Sequence, residues 1–311
     1  MKAIRIHAYG DATALCLEDA PRPAVGADEL LIRVVASSVN PVDWKIRKGQ
    51  LKSMLPYSMP FIPGWDVSGV VHETGSQVSH FQVGDAVYSR PDISRDGCYA
   101  EFVAVRESEV ALKPRTISHI EAAVLPLAGI TAWEAVITLG QVQPGQRVLV
   151  HAASGGVGSL AVQIAKAHGA HVIGTSSSRH RGLVESLGVD EFVDYQAQPL
   201  RDAVRNIDLV IDTMGGGTQD ESWHVMAPEG FLVSTVSDPA DALQHWPRLR
   251  GAVLFIQPNR PVLERLTHMV EQGQLRPVVG AEFALEDVAQ AHALSETGHA
   301  TGKIALYVGT P

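Results

Sequence analysis

Six consecutive residues, Ala153-Ser154-Gly155-Gly156-Val157-Gly158, stand between an apolar run, Val148-Leu149-Val150, and a helical pattern from Ser159 to His168. A strand, a glycine turn and a helix in that order aim unpaired backbone N–H groups and the positive end of the helix dipole at one point, which suits a pyrophosphate. Ala153 takes the place of the first glycine of a dinucleotide-binding fingerprint, Gly155 leaves the backbone open to close approach, and Gly158 permits tight packing of helix on strand. A second strand candidate, Ala170 to Thr175, follows at the spacing of a βαβ unit. The stretch is read as a phosphate-cradling turn.

The residues after the second strand bear on which dinucleotide it would hold. An acidic side chain there would accept hydrogen bonds from the adenosine ribose of NAD. This chain has Gly174-Thr175-Ser176-Ser177-Ser178 and then Arg179 and Arg181. Hydroxyls and a guanidinium would hold a 2′-phosphate, because arginine offers a planar fork matched to phosphate oxygens. NADPH is the expected cofactor, with Ser176, Ser178 and Arg179 among its partners. A plainer reading makes Arg179 and Arg181 the solvated start of the next helix.

Other chemistries find little footing. Cys16 and Cys98 form neither a disulfide framework nor a Cys-x-x-Cys metal pair. The 13 histidines include no His-x-x-x-His pair beside a carboxylate. No Gly-x-Ser-x-Gly elbow is present, and Ser154 lies inside the phosphate turn.

These residues need elements to hold them. Residues 3–7, 29–37, 67–73, 86–89 and 100–104 read as short strands broken by Gly, Pro and Asp, the pattern of a small, partly closed barrel. No helix is strongly patterned before Ile117. After Ser118 helices alternate with strand candidates at 170–175, 191–193, 209–213, 231–235 and 253–256, which predicts a doubly wound parallel sheet. Helices at 261–272 and 285–296 and a closing strand at 302–308 are best returned to the barrel. The expected fold class is α/β: a discontinuous barrel domain, 1–121 and 262–311, around a nucleotide domain, 122–261. With 311 residues, two cores are the natural expectation. A formal charge of −9 speaks against nucleic acid or an anionic membrane as partner. The alternating N-terminus and the absence of a long apolar run lead us to expect a cytoplasmic protein.

The chain resembles the medium-chain dehydrogenase/reductase superfamily, and within it the zinc-independent quinone oxidoreductase and enone reductase branch to which zeta-crystallin belongs. The resemblance rests on the order and spacing of Asn40-Pro41-Val42-Asp43-Trp44-Lys45-Ile46-Arg47-Lys48-Gly49, Pro63-Gly64-Trp65-Asp66-Val67-Ser68-Gly69, Gly97-Cys98-Tyr99-Ala100-Glu101-Phe102, Gly129-Ile130-Thr131-Ala132-Trp133, the glycine turn, and Thr301-Gly302-Lys303-Ile304. It implies a GroES-like barrel joined to a Rossmann domain. It also places Tyr195 near the cofactor phosphate and adds Thr131, Met214 and Gly215 to the cofactor set. The zinc ligands of the superfamily's alcohol dehydrogenases are replaced here by Asn40 and Trp65, and an amide with an indole cannot hold catalytic zinc.

With no metal expected, direct hydride transfer suits an electron-poor acceptor, a quinone or an α,β-unsaturated carbonyl. Asn40 and Lys45 are the candidates to stabilise charge on the acceptor oxygen, although relatives carry Tyr at the position of Lys45. Trp44, Tyr57 and Trp65 are the substrate-binding candidates, Tyr57 within an apolar loop, 51–61. The resemblance further suggests a homodimer paired through residues 253–256. Two other readings stand beside this one: an NADPH-binding crystallin-like or sensor protein of little turnover, and a zinc alcohol dehydrogenase.

Overall fold

The computed structural model describes residues 1–309; Thr310 and Pro311, part of the expected C-terminal barrel segment, lie outside them. The chain divides into two compact units. One comprises Met1–Leu127, Gln257–Gln272 and Pro277–Pro311, and the other comprises Ala128–Ile256 with Gly273–Arg276. The junctions thus fall after Leu127 and Ile256 rather than after residues 121 and 261.

The first unit is built on the eleven-residue strand Glu29–Val39. Val67–Thr74 pairs antiparallel along it, and its other neighbours are Phe102–Arg106, opposite residues 29–33, and Lys303–Tyr307, opposite residues 36–39. Ala86–Ser89, Val110–Leu112 and Val279–Ala284 complete a seven-stranded sheet. Alternate side chains of these strands make the core, including Leu30, Ile32, Val34, Val67, Val71, Val87, Val103 and Val105, as period-two strands require. Lys2–Ile6 and Leu15–Asp19 form a separate hairpin sheet, pinned to the rest by the Ile4 N–H donating to the Tyr99 carbonyl at 2.8 Å.

The second unit is a six-stranded parallel sheet. Its strands lie in the order Glu191–Asp194, His171–Ser176, Arg147–Val150, Ile207–Asp212, Met226–Ser234, Arg250–Val253. Counted along the chain this is 3-2-1-4-5-6, the doubly wound order whose direction reverses beside the first strand. Val148, Leu149 and Val150 are all fully buried, as strands covered on both faces must be.

Several elements depart from the sequence reading, among them three strands it did not contain, Leu15–Asp19, Val110–Leu112 and Val279–Ala284. Pro41–Arg47 is a helix inside the first unit. The last strand of the parallel sheet is Arg250–Val253, and the chain leaves it after Leu254 N–H reaches the Ser234 carbonyl at 2.8 Å. Residues 285–296 are a 3₁₀ turn, Leu285–Asp287, followed by a helix, Val288–Glu296. No helix among the described residues is long and apolar enough to cross a membrane.

Candidate active site

The glycine turn sits where the parallel sheet reverses direction. Arg147–Val150 ends, Ala152 takes a left-handed conformation at φ 48°, and Gly155 caps the twelve-residue helix Gly156–Ala167. The first N–H groups of that helix have no acceptor within it, and the helix dipole adds partial positive charge at the same place. Two glycines act differently. A Cβ at Gly158 would lie 2.2 Å from the Ala152 carbonyl oxygen, so glycine is what lets the helix start this close to the turn. A Cβ at Gly155 would meet only Ala152, nearest at 3.1 Å, so the space beyond Gly155 is open. The cradle fits a pyrophosphate that approaches bare backbone.

Buried polar contacts fix the turn from below. Ala153 N–H donates to the Thr175 carbonyl at 2.9 Å, and the Ser154 and Ser176 hydroxyls meet at 2.8 Å. His151 is buried between the Thr175 hydroxyl, 3.0 Å from Nδ1, and the Ser222 hydroxyl, 2.8 Å from Nε2. Ser222 donates its own proton to the Thr218 carbonyl at 2.7 Å, so Nε2 of His151 is the donor and Nδ1 the acceptor. Burial pushes the imidazole down to about 4, which keeps this tautomer neutral.

A second loop leaves the neighbouring strand at Asp212. One carboxylate oxygen accepts the N–H groups of Met214 and Gly215, both at 2.9 Å, and the other accepts Gln219 Nε2 at 2.8 Å and the Ser234 hydroxyl at 2.9 Å. Four hydrogen bonds therefore shape the segment holding Met214 and Gly215. Met214 projects with 55% exposure, and Gly215 has φ 67°, a conformation suited to glycine.

Around the end of the second strand Ser176 is buried and Ser178 and Arg179 are exposed. Arg179 Nε donates to His180 Nε2 at 2.8 Å, and among the described residues no carboxylate pairs with it. Arg181 differs, since it pairs with Glu185 at 3.2 Å and lies over the Phe192 ring. Tyr195 is exposed, and Thr131 is buried in the helix Pro126–Trp133.

In the first unit the Asn40 segment anchors a charged network. Asn40 Nδ2 donates to Asp66 at 2.7 Å, its Oδ1 accepts Lys303 Nζ at 2.5 Å, and its backbone N–H donates to Asp43 at 2.8 Å. Asp66 also accepts the Ser38 hydroxyl at 2.6 Å and Leu127 N–H at 2.7 Å. Asp43 accepts the Tyr99 hydroxyl at 2.8 Å, while its other oxygen, Oδ1, has no partner among the described residues. Burial pushes the Asp43 carboxyl up to about 7, against the pull of Asn40, Tyr99 and Lys303. Beyond Tyr99 lies His292, whose Nε2 is 3.3 Å from the hydroxyl and whose Nδ1 accepts Arg47 Nη1 at 3.1 Å. Burial and the Arg47 charge hold His292 down to about 3, and Arg47 pairs with Glu296. The chain of contacts ties the helix Pro41–Arg47 to the helix Val288–Glu296.

Two expected roles are corrected here. Asn40 is only 2% exposed, and both ends of its amide are committed to Asp66 and Lys303. It positions the helix rather than presenting a donor to a substrate. Trp65 is fully buried among Ile6, Ile46 and Phe61 and donates to the Arg95 carbonyl at 3.3 Å, so it is a core residue and not a substrate contact. Tyr57 is half-buried, stacked on Phe61 at 4.2 Å, with its hydroxyl committed to the Ile93 carbonyl. Trp44 donates to the Ser295 hydroxyl at 3.2 Å, and the half-buried Lys45 lies 5.7 Å from the Trp44 ring centre. Among the described residues no carboxylate pairs with Lys45, whereas Lys48 pairs with Glu296.

Asp66, Tyr99, Lys303, Asp212 and His151 were given no part in the site by the sequence reading. Asp66, Tyr99 and Lys303 stand in the motifs that carry the resemblance, and Asp212 and His151 were signalled by a polar side chain at the end of an apolar run.

A mostly antiparallel unit interrupted in sequence by a dinucleotide-cradling parallel sheet defines a class, and the comparisons name it. Residues 26–115 match the alcohol dehydrogenase GroES-like domain, and residues 187–306 match the zinc-binding dehydrogenase family. The chain belongs to the medium-chain dehydrogenase/reductase superfamily, with a GroES-like unit and a Rossmann-type unit. It is 36% identical to the 2-methylene-furan-3-one reductase of Solanum lycopersicum, over 99% of this chain and 79% of that one. It is also 36% identical to the chloroplastic NADPH-dependent alkenal/one oxidoreductase of Arabidopsis thaliana, with the same shares covered. The solved structure of the quinone oxidoreductase from Coxiella burnetii superposes with a TM-score of 0.91 at 34% identity, covering 99% of both chains.

Proposed function

We infer that this protein is an NADPH-dependent oxidoreductase that transfers hydride to a quinone or to the alkene of an α,β-unsaturated carbonyl. The observation that carries the reading is the open glycine cradle beside a strand end that offers Ser176, Ser178 and Arg179 and no acid. The relatives named above support both the cofactor and the acceptor class. The residues that would hold the cofactor are the turn Ala153 to Gly158, Thr131, the Ser176–Arg179 segment, Tyr195, and Met214 with Gly215. Bound there, NADPH supplies a hydride.

The rest falls to this chain's own groups. As hydride arrives at the acceptor carbon, an electron pair moves onto the acceptor oxygen, and a cation nearby lowers the energy of that charge. Lys45 is proposed for this role. Asn40, Asp43 and Arg47 anchor the helix that carries it. Zinc has no part in the proposed reaction, because the committed amide of Asn40 and the buried indole of Trp65 stand where ligands would be needed. We propose the cytoplasm as its compartment, consistent with the free thiols of Cys16 and Cys98. We also propose a homodimer paired along the edge strand Arg250–Val253, and sedimentation at the monomer mass would contradict it.

The test follows NADPH oxidation with but-3-en-2-one and with a benzoquinone, in wild type and Lys45→Met. The expected result is turnover in the wild type, and a kcat about tenfold or more lower in the variant with NADPH affinity unchanged. Tight NADPH binding with no turnover on either acceptor would leave a binding protein instead.

A further inference from the structure

Arg90 follows the strand Ala86–Ser89 and is 3% exposed, yet among the described residues neither Nε nor Nη1 of its guanidinium has a hydrogen-bond partner. A guanidinium taken out of water ordinarily meets a carboxylate or several carbonyls, because an unpaired buried charge is costly. Acids do lie close enough to influence it. Asp66 accepts from Ser38, Asn40 and Leu127, Asp92 accepts from Ser94 and Arg106, and Glu109 accepts from Arg106 and the Asp92 N–H. Each is already committed, and none is bonded to Arg90.

Its surroundings connect it to the network around Asn40. Arg90 lies close enough to Tyr57 and to Asp66 for its charge to act on both, and Asp66 is the anchor of Asn40. Burial lowers the affinity of Arg90 for its proton, but a guanidinium starts so high that it stays charged where a lysine would lose its charge. A permanent cation, nearly enclosed, with Nε and Nη1 unbonded and its acidic neighbours committed elsewhere, is suited to negative charge that arrives or develops on a ligand.

We propose that Arg90 is an acceptor-binding residue that holds the carbonyl oxygen of the enone or quinone and pairs with the negative charge formed there. The proposal rests on the reductase reading. In an enone the incoming hydride makes a C–H bond at the β-carbon, the alkene pair becomes the new bond of the enolate, and the carbonyl π pair goes to the oxygen facing Arg90. NADP⁺ remains, and a proton from water at the α-carbon completes the saturated ketone. The neutral carbonyl gains less from the cation than the enolate does, so the interaction favours the transition state.

Arg90→Met and Arg90→Lys test this through three readouts: thermal melting, but-3-en-2-one kinetics, and binding of p-nitrophenolate, an unreactive enolate mimic, to the NADP⁺-loaded protein. Removing an unpaired buried charge should leave the melting temperature of Arg90→Met unchanged or raised. The same variant should lose about tenfold or more in kcat/KM and in p-nitrophenolate affinity, with NADPH affinity unchanged, and Arg90→Lys should recover part of both. A lowered melting temperature in Arg90→Met would make the guanidinium a structural group and overturn the assignment. Unchanged p-nitrophenolate affinity would overturn it as well. If the wild type reduced no acceptor, the reductase reading would fall, while melting and p-nitrophenolate binding would still decide whether Arg90 is an anion site.

Discussion

Arg179 shows how a single side chain can set cofactor choice. It is exposed, bonded among the described residues to its neighbour His180, and follows three serines where an NAD-specific chain would place a carboxylate. We expect NADPH to bind about tenfold or more tightly than NADH, and Arg179→Ala to remove most of that preference, since a charged hydrogen bond to phosphate contributes roughly 1.5–3 kcal/mol. Titrating both nucleotides against wild type and variant decides this. Equal wild-type affinities would assign Arg179 to the solvated surface. The residues around Asn40 carry the complementary lesson, because residue type alone suggested an amide free to touch substrate. Its partners, Asp66 and Lys303, are 26 and 263 positions away in the chain, and only the folded sheet brings them to it.

At the scale of elements, the glycine turn makes a claim that separates folding from binding. Gly155→Ala brings its methyl to 3.1 Å from the Ala152 carbonyl oxygen, a contact that a small shift relieves, and should melt closer to wild type than Gly158→Ala, with NADPH binding weakened. Gly158→Ala sets a methyl against the Ala152 carbonyl oxygen and should lower the melting temperature itself. Melting curves with and without NADPH distinguish the two, and equal melting of both variants would contradict the geometry. The helix Pro41–Arg47 adds a dependence on pH. Asp43 holds its proton in the native state up to about 7, above its ordinary 3.8, so the native state binds more protons than the unfolded chain across that interval. Its contribution to stability is fully present below about pH 3.8 and is lost as pH rises through 7. Asp43→Asn should cancel this loss, and the wild-type-minus-variant stability should fall by up to about 1.4 kcal/mol per pH unit in that window. A difference flat from pH 4 to 7 would contradict it. This helix was not legible because its buried positions are Asp43, Ile46 and Arg47, and two charges on the inner face erase the apolar period. The last strand of the parallel sheet was misplaced for a related reason. Arg250 begins it and covers the Phe231 ring at 5.2 Å, whereas the more apolar residues after Val253 lead out of the sheet.

For the molecule as a whole, the patterns that survived are those with many repeats. Strands buried on both faces and a turn at the head of a twelve-residue helix announce a nucleotide-binding sheet in any context. The longer strands of the first unit were legible and the terminal strand Lys303–Tyr307 lies beside Glu29–Val39, whereas Leu15–Asp19, Val110–Leu112 and Val279–Ala284 were not among the strand candidates. What the sequence concealed is the buried polar interior of the first unit, where Asp43, Asp66, Arg90 and Lys303 look like ordinary surface charges until the sheet closes over them. The central claim is that hydride passes directly from NADPH to an electron-poor carbon. It is tested by a single turnover of but-3-en-2-one with NADPH deuterated at nicotinamide C4, on the face that is transferred, in ordinary water. The account predicts a saturated ketone carrying one deuterium at the β-carbon. A product without deuterium, its hydrogens drawn from water, would contradict it.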